Sequence, residues 1–154
     1  MSGDEERVYF IHGTTTALWD GGTAIDATRG GGDFGAGFYV FEDTGWGRQA
    51  ATVWARRKAV DVGGVPVLMR LAVSRPVFAA LDRADVPDDA LDLTYQRYAY
   101  RRLTGRALVV GPVGKNGLDG RRVPDKRWPV QYKFEGDGIA KLALDSVIRL
   151  TPGR

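Results

Sequence analysis

The chain has 154 residues, of which 44% are hydrophobic and 27% charged, and its formal net charge is +3 at pH 7. We expect one domain over residues 1–154, with a flexible N-terminus at 1–6. The absence of cysteine excludes disulfides, thiolate metal sites and a cysteine nucleophile. No apolar run approaches the ~20 residues of a membrane helix, and the acidic start is unlike a signal peptide. We therefore expect a cytoplasmic protein with no membrane partner.

The first part of the sequence predicts two strands separated by a glycine-rich loop. Residues 8–11 (VYFI) are rich in strand-forming side chains and run directly into His12. Residues 20–37 contain two glycine clusters and no apolar period, which predicts a loop with one short turn at most. Residues 38–41 (FYVF) predict the second strand.

A helix is predicted directly after this second strand. Residues 42–44 (EDT) supply side chains that can cap a helix N-terminus. The following apolar residues share one helical face: Trp46, Ala50, Val53 and Trp54. The basic residues at 56–58 predict the last turn, because cations suit the negative end of the helix dipole.

The rest of the chain predicts strands and helices in mixed order. A strand at 65–73 is broken at Arg75-Pro76, and a second helix is predicted at 88–105. Three further strands are predicted, at 107–113, 128–134 and 147–150. Because strands and helices do not alternate regularly, the predicted fold class is α+β and not a doubly wound parallel sheet.

The basic residues are concentrated in one segment. Residues 97–127 contain nine arginines and lysines against two aspartates, a net charge of +7. Such a patch favours anionic partners, namely a nucleotide, a nucleic acid or an acidic protein face. The alternative is that these side chains form an ordinary solvated surface.

Several common catalytic sites do not fit the sequence. His12 is the only histidine, so a zinc site built from histidine and cysteine is excluded. No G-x-S-x-G nucleophile elbow accompanies it. The glycines at 30–37 match neither a Walker loop nor G-x-G-x-x-G, so we interpret them as positions where the backbone bends and approaches a ligand.

Four short motifs occur in an order that resembles the ADP-ribosyltransferases. They are FIHGT at 10–14, DFGAGFY at 33–39, ATVWA at 51–55 and VQYKF at 130–134. The match is closest to the His-Tyr-Glu branch, which includes diphtheria-toxin-like toxins and poly(ADP-ribose) polymerases. Within it, the chain is similar to bacterial polymorphic-toxin and effector domains. The resemblance implies a split mixed β-sheet with a few helices and an NAD cleft between the sheet halves.

The resemblance implies a set of cofactor-binding residues. His12 matches the histidine that hydrogen-bonds the adenosine ribose, and the backbone of Gly13 matches the groups that hold the nicotinamide amide. Thr14 adds a polar contact. Tyr39 matches the aromatic residue that stacks on the nicotinamide ring, and Phe38 precedes it in the same motif.

Trp54 falls near the position of a second aromatic residue of the family, on the apolar face of the first predicted helix. Two aromatic planes would sandwich the positively charged nicotinamide ring. Packing in the core is an equally weighted alternative for Trp54.

The expected catalytic residues lie in the last motif, where the chain departs from the family. Gln131 stands where the family has a glutamate that stabilises positive charge developing on the ribose. Glutamine keeps the hydrogen bond but not the charge. Residues 131, 133 and 135 share one face of a strand, so Glu135 is a second catalytic candidate. The alternative for Glu135 is that it only begins the turn at 136–138.

The implied activity is transfer of ADP-ribose from NAD⁺, the co-substrate, to a protein, RNA or DNA acceptor, with release of nicotinamide and without a metal. This is the pentosyltransferase chemistry of a bacterial toxin or effector, and an immunity or inhibitor protein is an expected partner. The chain is either a free-standing enzyme or the toxin end of a larger protein that is delivered into a target cell. Two alternatives stay open: NAD⁺ hydrolysis with water as the acceptor, and an inactive NAD-binding module.

Overall fold

The computed structural model describes residues 6–18, 31–32, 35–86, 105–117 and 122–151. The predicted helix at 88–105 and the Asp33-Phe34 part of the second motif lie outside these ranges. The chain divides into two compact units, one formed by 1–24, 40–80 and 141–154 and the other by 25–39 and 81–140. Within the described ranges, no helix is long and apolar enough to cross a membrane.

The first unit is built on an antiparallel sheet. Its strands are β1 (Arg7–Thr15), β4 (Phe38–Glu42), β5 (Pro66–Ser74) and β11 (Ala143–Arg149), in the order β11-β5-β1-β4. The last three residues of β4 belong to this unit. β1 and β5 pair over nine residues, from Arg7–Ser74 to Thr15–Pro66. The predicted strands at 8–11, 38–41 and 65–73 are confirmed, and β11 begins four residues before the predicted 147–150.

Strand β5 is apolar almost throughout because it lies between two other strands and is covered on both faces. Seven of its nine residues are buried, and continuous apolar runs are typical of strands buried on both faces. By contrast, β11 is an edge strand, and all seven of its residues are exposed or half-buried. Its pairing with β5 is interrupted by a bulge between Leu144 and Ser146.

Helix α1 (Gly45–Val62) begins where the sequence predicts but uses a different buried face. The Thr44 hydroxyl caps it by accepting a 3.0 Å hydrogen bond from the Gly47 N–H. Its buried residues are small: Gly47, Ala50, Ala51 and Ala55. Trp46 is 52% exposed and Val53 is 39% exposed, so the predicted apolar face is wrong at these two positions. The helix also continues to Val62, so residues 56–58 are not its last turn.

A short helix, α2 (Arg75–Ala79), follows β5 without a loop. The Ser74 hydroxyl caps it, and Pro76 fits the first turn because the missing N–H has no helical partner there. The Arg75-Pro76 pair therefore ends the strand, as predicted, by starting a helix. Phe78 packs against Phe10, with ring centroids 5.5 Å apart.

The second unit contains shorter strands. β6 (Arg83–Asp85) pairs in parallel with β7 (Leu108–Gly111), and β7 pairs antiparallel with β10 (Gln131–Phe134). β10 is next to β4, whose first two residues belong to this unit. β7 and β10 confirm the strands predicted at 107–113 and 128–134, with narrower limits.

The remaining elements were not predicted from the sequence. They are the two-strand pairs β2 (Gly31–Gly32) with β3 (Gly35–Ala36) and β8 (Gly114–Asn116) with β9 (Arg122–Pro124), the strand β6, and the one-turn helix α3 (Asp137–Ala140). Each has two to four residues, too few to show a period. The mixed α+β class with a strand-rich sheet and a few helices is confirmed.

Candidate functional site

The backbone of Gly13 points away from β5. In an antiparallel pair, the N–H and C=O of one residue face the same neighbour, and successive residues alternate. The Thr16 N–H donates to the Val65 carbonyl at 3.0 Å, so even-numbered residues of β1 face β5. The Asp43 N–H donates to the Tyr9 carbonyl at 3.0 Å, so odd-numbered residues face the other side. The N–H and C=O of Gly13 therefore face that second edge.

The second edge of β1 is covered over part of its length. In the first unit, β1 pairs with β4 at Phe10–Glu42 and Ile11–Phe41, whereas its pairing with β5 continues to Thr15. Among the described residues, no further β1–β4 pair follows Ile11. Gly13 thus lies where β1 has a strand on one side and a polar backbone edge on the other.

Lys58 reaches this edge from α1. Its ammonium Nζ donates a 2.7 Å hydrogen bond to the Gly13 carbonyl oxygen. The side chain is half-buried, and burial lowers the pKa of Lys58 to about 8 because desolvation disfavours the charged form. Sequence reasoning assigned Lys58 only to the end of a helix. Its distance from Gly13 along the chain gave no signal of the contact.

Gly13 also has a packing reason to be glycine. A Cβ placed on it would lie 2.0 Å from the Ala51 carbonyl oxygen and 3.0 Å from the Ala55 nitrogen. These are backbone atoms of α1, which cannot move aside as a side chain would. The helix therefore packs directly on the strand at Gly13, and the sequence motif there serves the fold as well as any ligand.

The side chains of His12 and Thr14 lie on the same face of β1, because side chains alternate along a strand. A side chain at position 13 would point to the opposite face. His12 is half-buried and Thr14 is buried. The three consecutive residues predicted to bind NAD thus present two side chains on one face and a polar backbone group at the strand edge.

Trp54 packs on the sheet from α1. Its ring lies 4.7 Å from that of Phe41, centroid to centroid, with the planes tilted by 56°. Phe41 is fully buried and Trp54 is half-buried. Packing against Phe41 fits the alternative for Trp54, namely a place in the core.

Phe38 and Tyr39 open strand β4 and belong to the second unit. Both side chains are buried, and only 8% of the Tyr39 surface is exposed. Gly37, just before them, packs closely on β10. A Cβ there would lie 2.2 Å from the Lys133 Cδ and 2.9 Å from the Phe134 carbonyl oxygen. The glycine of this motif therefore makes room for the stem of Lys133.

Gln131 begins β10 and is buried, with 1% of its surface exposed. Its Nε2 donates to the Pro112 carbonyl oxygen at 3.2 Å. The residue paired with it across the strands is Gly111, which places no side chain beside the glutamine. Residues 109–113 (VVGPV) thus comprise the end of β7, the antiparallel partner of β10, and the two residues after it.

Glu135 follows β10 and is engaged on both oxygens. Lys133 Nζ forms an ion pair with Oε2, and the Gly105 N–H donates to Oε1 at 3.3 Å. Both side chains are buried, and burial lowers the pKa of Lys133 to about 8. Lys133 was not among the predicted site residues. Strand alternation nevertheless places it between Gln131 and Glu135 on one face of β10, which was a signal for this contact.

Two arginines of the basic segment are used within the fold. Arg106 pairs with Asp82 at 2.8 Å, and Arg127 pairs with Asp125 at 2.9 Å. The Arg127 guanidinium lowers the pKa of the buried Asp125 carboxyl to about 2. Lys115 and Lys126 are exposed. Arg122 begins β9, and the other basic residues of the segment lie outside the described residues: Arg97, Arg101, Arg102 and Arg121.

The predicted site residues fall into two groups, one in each unit. His12, Gly13, Thr14 and Trp54 belong to the first unit. Phe38, Tyr39, Gln131 and Glu135 belong to the second. Among the residues that the structure describes, no cluster of histidine, aspartate and glutamate has the arrangement needed to hold a metal ion.

Comparison of the chain with protein-family models, with curated protein sequences and with solved structures finds no match.

Proposed function

We propose that this chain is an ADP-ribosyltransferase that moves ADP-ribose from NAD⁺ to a macromolecular acceptor and releases nicotinamide. The motif resemblance suggests the activity. The structural observation that supports it most is the backbone N–H and C=O of Gly13 at the edge of β1. A primary amide such as that of nicotinamide needs one hydrogen-bond acceptor and one donor side by side. The backbone of a single strand residue supplies both.

In the proposed reaction, the bond between the nicotinamide nitrogen and the ribose anomeric carbon breaks, and the electron pair leaves with nicotinamide. The ribose then carries positive charge in the transition state. An oxygen or nitrogen of the acceptor bonds to the anomeric carbon and gives up its proton to solvent. His12 contributes a side chain that both donates and accepts hydrogen bonds, as a ribose hydroxyl requires.

Gln131 acts in this proposal through hydrogen bonding and not through charge. Its buried amide nitrogen is fixed by the Pro112 carbonyl, so the group is held in one orientation. The nearest carboxylate on its strand face, Glu135, is neutralised by Lys133. The transition-state charge would then be stabilised by oriented dipoles, which are effective where water is excluded.

The same contacts favour a second candidate, an NAD-binding module without catalysis. Gln131 and Glu135 are both tied into bonds that a purely structural role would explain. An NAD-binding protein needs the Gly13 edge but not a charge beside the ribose. The two candidates therefore differ in nicotinamide release.

Incubation of the protein and a cell lysate with isotopically labelled NAD⁺ separates the candidates. Label on protein or nucleic acid, with an equal amount of free nicotinamide, supports transfer. Free ADP-ribose alone means that water is the acceptor, and NAD⁺ binding without nicotinamide release supports the inactive module.

The catalytic assignment of Gln131 is tested with Gln131→Ala, for which we expect at least a 100-fold loss of nicotinamide release, the scale seen when one oriented hydrogen-bonding group is removed from an active site. Gln49→Ala is the matched control, because Gln49 is an exposed glutamine on α1. Full activity of Gln131→Ala would remove Gln131 from the mechanism.

A further inference from the structure

Lys58 carries its positive charge in a position where a charge is energetically unfavourable. Its side chain is half-buried against α1 and β1, and its one described hydrogen bond goes to a neutral acceptor, the Gly13 carbonyl. Among the residues described, no ion pair with a carboxylate involves Lys58. An ammonium ion removed from water without an anion loses hydration that a carbonyl restores only in part.

The bond to Lys58 changes the character of the Gly13 edge. A bare backbone carbonyl repels an approaching anion. With Lys58 Nζ 2.7 Å from that oxygen, a positive charge lies directly beside the carbonyl. An ammonium carries three N–H donors, and the Gly13 carbonyl takes one of them. Two donors and a positive charge are then directed to other acceptors.

Lys58 is half-buried, so part of its side chain is open to solvent and to a ligand. The residue is also held in place, because its Nζ is tied to the backbone of a strand paired over nine residues with β5. A donor that is already oriented loses less entropy when it binds a ligand.

We propose that Lys58 is a phosphate-binding residue, whose ammonium ion, anchored on the Gly13 carbonyl, binds an anionic phosphate oxygen of a nucleotide. Lysine commonly binds phosphate as a point charge, and charge-assisted hydrogen bonds of this kind are roughly twice as strong as neutral ones. The choice of a nucleotide phosphate over a carboxylate rests on the proposed function, whereas the need for an anion does not.

The test compares the wild type with Lys58→Gln and Lys58→Arg. Glutamine still donates a hydrogen bond towards the Gly13 carbonyl but carries no charge, so Lys58→Gln is expected to fold. Lys141→Met is the matched control, because Lys141 is an exposed lysine of the same unit. Thermal unfolding and circular dichroism establish that each variant is folded before binding is measured.

Binding of pyrophosphate, ADP-ribose and uncharged nicotinamide is measured by calorimetry at low and moderate salt. We expect Lys58→Gln to weaken binding of pyrophosphate and ADP-ribose at least tenfold, with nicotinamide changed less than twofold. Lys58→Arg and Lys141→Met should stay close to the wild type. Added salt should weaken pyrophosphate binding in the wild type more than in Lys58→Gln.

Two results overturn the inference. One is a folded Lys58→Gln variant that binds pyrophosphate as tightly as the wild type. The other is a wild type that binds neither pyrophosphate nor ADP-ribose at millimolar concentration. Failure of the proposed function is a separate result, because a wild type that releases no nicotinamide from NAD⁺ can still lose pyrophosphate binding when Lys58 is changed.

Discussion

The buried pair of Lys133 and Glu135 is the strongest electrostatic feature at the residue scale in the second unit. Neither side chain has appreciable contact with solvent. Removing one partner of such a pair leaves the other charge buried and unpaired. Together with the hydrogen bond from the Gly105 N–H to Glu135, the pair therefore fixes the relative positions of residues 105, 133 and 135 at the end of β10.

We predict that Lys133→Met destabilises the protein by about 3–5 kcal/mol, the usual cost of breaking a buried ion pair. The double variant Lys133→Met/Glu135→Gln should recover part of this loss, because it leaves no charge without a partner. Urea unfolding measures both. Equal stability of the single and double variants would contradict the pairing.

Gly13 gives a prediction that depends on packing alone. Gly13→Ala places a methyl group against the Ala51 carbonyl, so we expect a loss of about 1–3 kcal/mol from overpacking. Gly45→Ala is the matched control, because nothing lies within 4 Å of a Cβ at that position. Melting temperatures should fall for the first variant and stay level or rise for the second.

Asp125 gives a pH dependence whose sign follows from its pairing with Arg127. The pKa of Asp125 is lowered from 3.8 to about 2, chiefly by hydrogen bonds from Arg127. A group with a lowered folded pKa contributes stability above its unfolded pKa and loses it as the pH falls. This contribution is complete near neutral pH and is lost between about pH 4 and pH 2.

We predict that Asp125→Asn and Arg127→Met are both less stable than the wild type at pH 5–7, and that the difference shrinks steadily towards pH 2. Urea unfolding midpoints at four pH values measure it. A difference that stays constant down to pH 2 would show that the ion pair is not its cause.

At the scale of elements, helix α1 shows what a sequence pattern can and cannot give. Its start was predicted from residues 42–44, because capping is a local interaction. Its buried face was not, because the pattern gives weight to large apolar residues such as Trp46. The face that packs on β1 is formed by small residues. Their contribution to packing depends on how closely the backbone of the partner strand approaches, which the sequence does not show.

We therefore predict opposite sensitivities on the two faces of α1. Ala51→Leu should destabilise the protein by about 1–3 kcal/mol, because Ala51 is fully buried on β1. Trp46→Gln should change stability by less than about 0.5 kcal/mol, because more than half of its surface is exposed. Thermal unfolding of the two variants decides between this face and the one expected from apolar periodicity.

The longer elements were predictable and the short ones were not. Strands β1, β4 and β5 contain runs of consecutive apolar residues, so they can be predicted from local sequence alone. By contrast, β6 has three residues and pairs in parallel with β7, a contact that no local pattern reveals. For the site, His12 and Gln131 came from motifs, whereas the bond of Lys58 to Gly13 and the ion pair of Lys133 with Glu135 became evident only from the structure.

At the scale of the whole molecule, the two units are interleaved along the chain. The first is assembled from three separate stretches, and the second is formed by the two stretches between them. Strand β4 is divided between the units, with Phe38 and Tyr39 in one and Val40 to Glu42 in the other. The residues of the resemblance motifs are likewise distributed between the two units.

The position of β11 has a consequence for synthesis on the ribosome. This strand covers one edge of β5, yet it emerges only after the stretch 81–140 that belongs to the other unit. Until then, a newly made chain carries an apolar strand with one edge open, the kind of surface at which chains associate with each other. We expect nascent chains that have not reached β11 to be the aggregation-prone species of this protein.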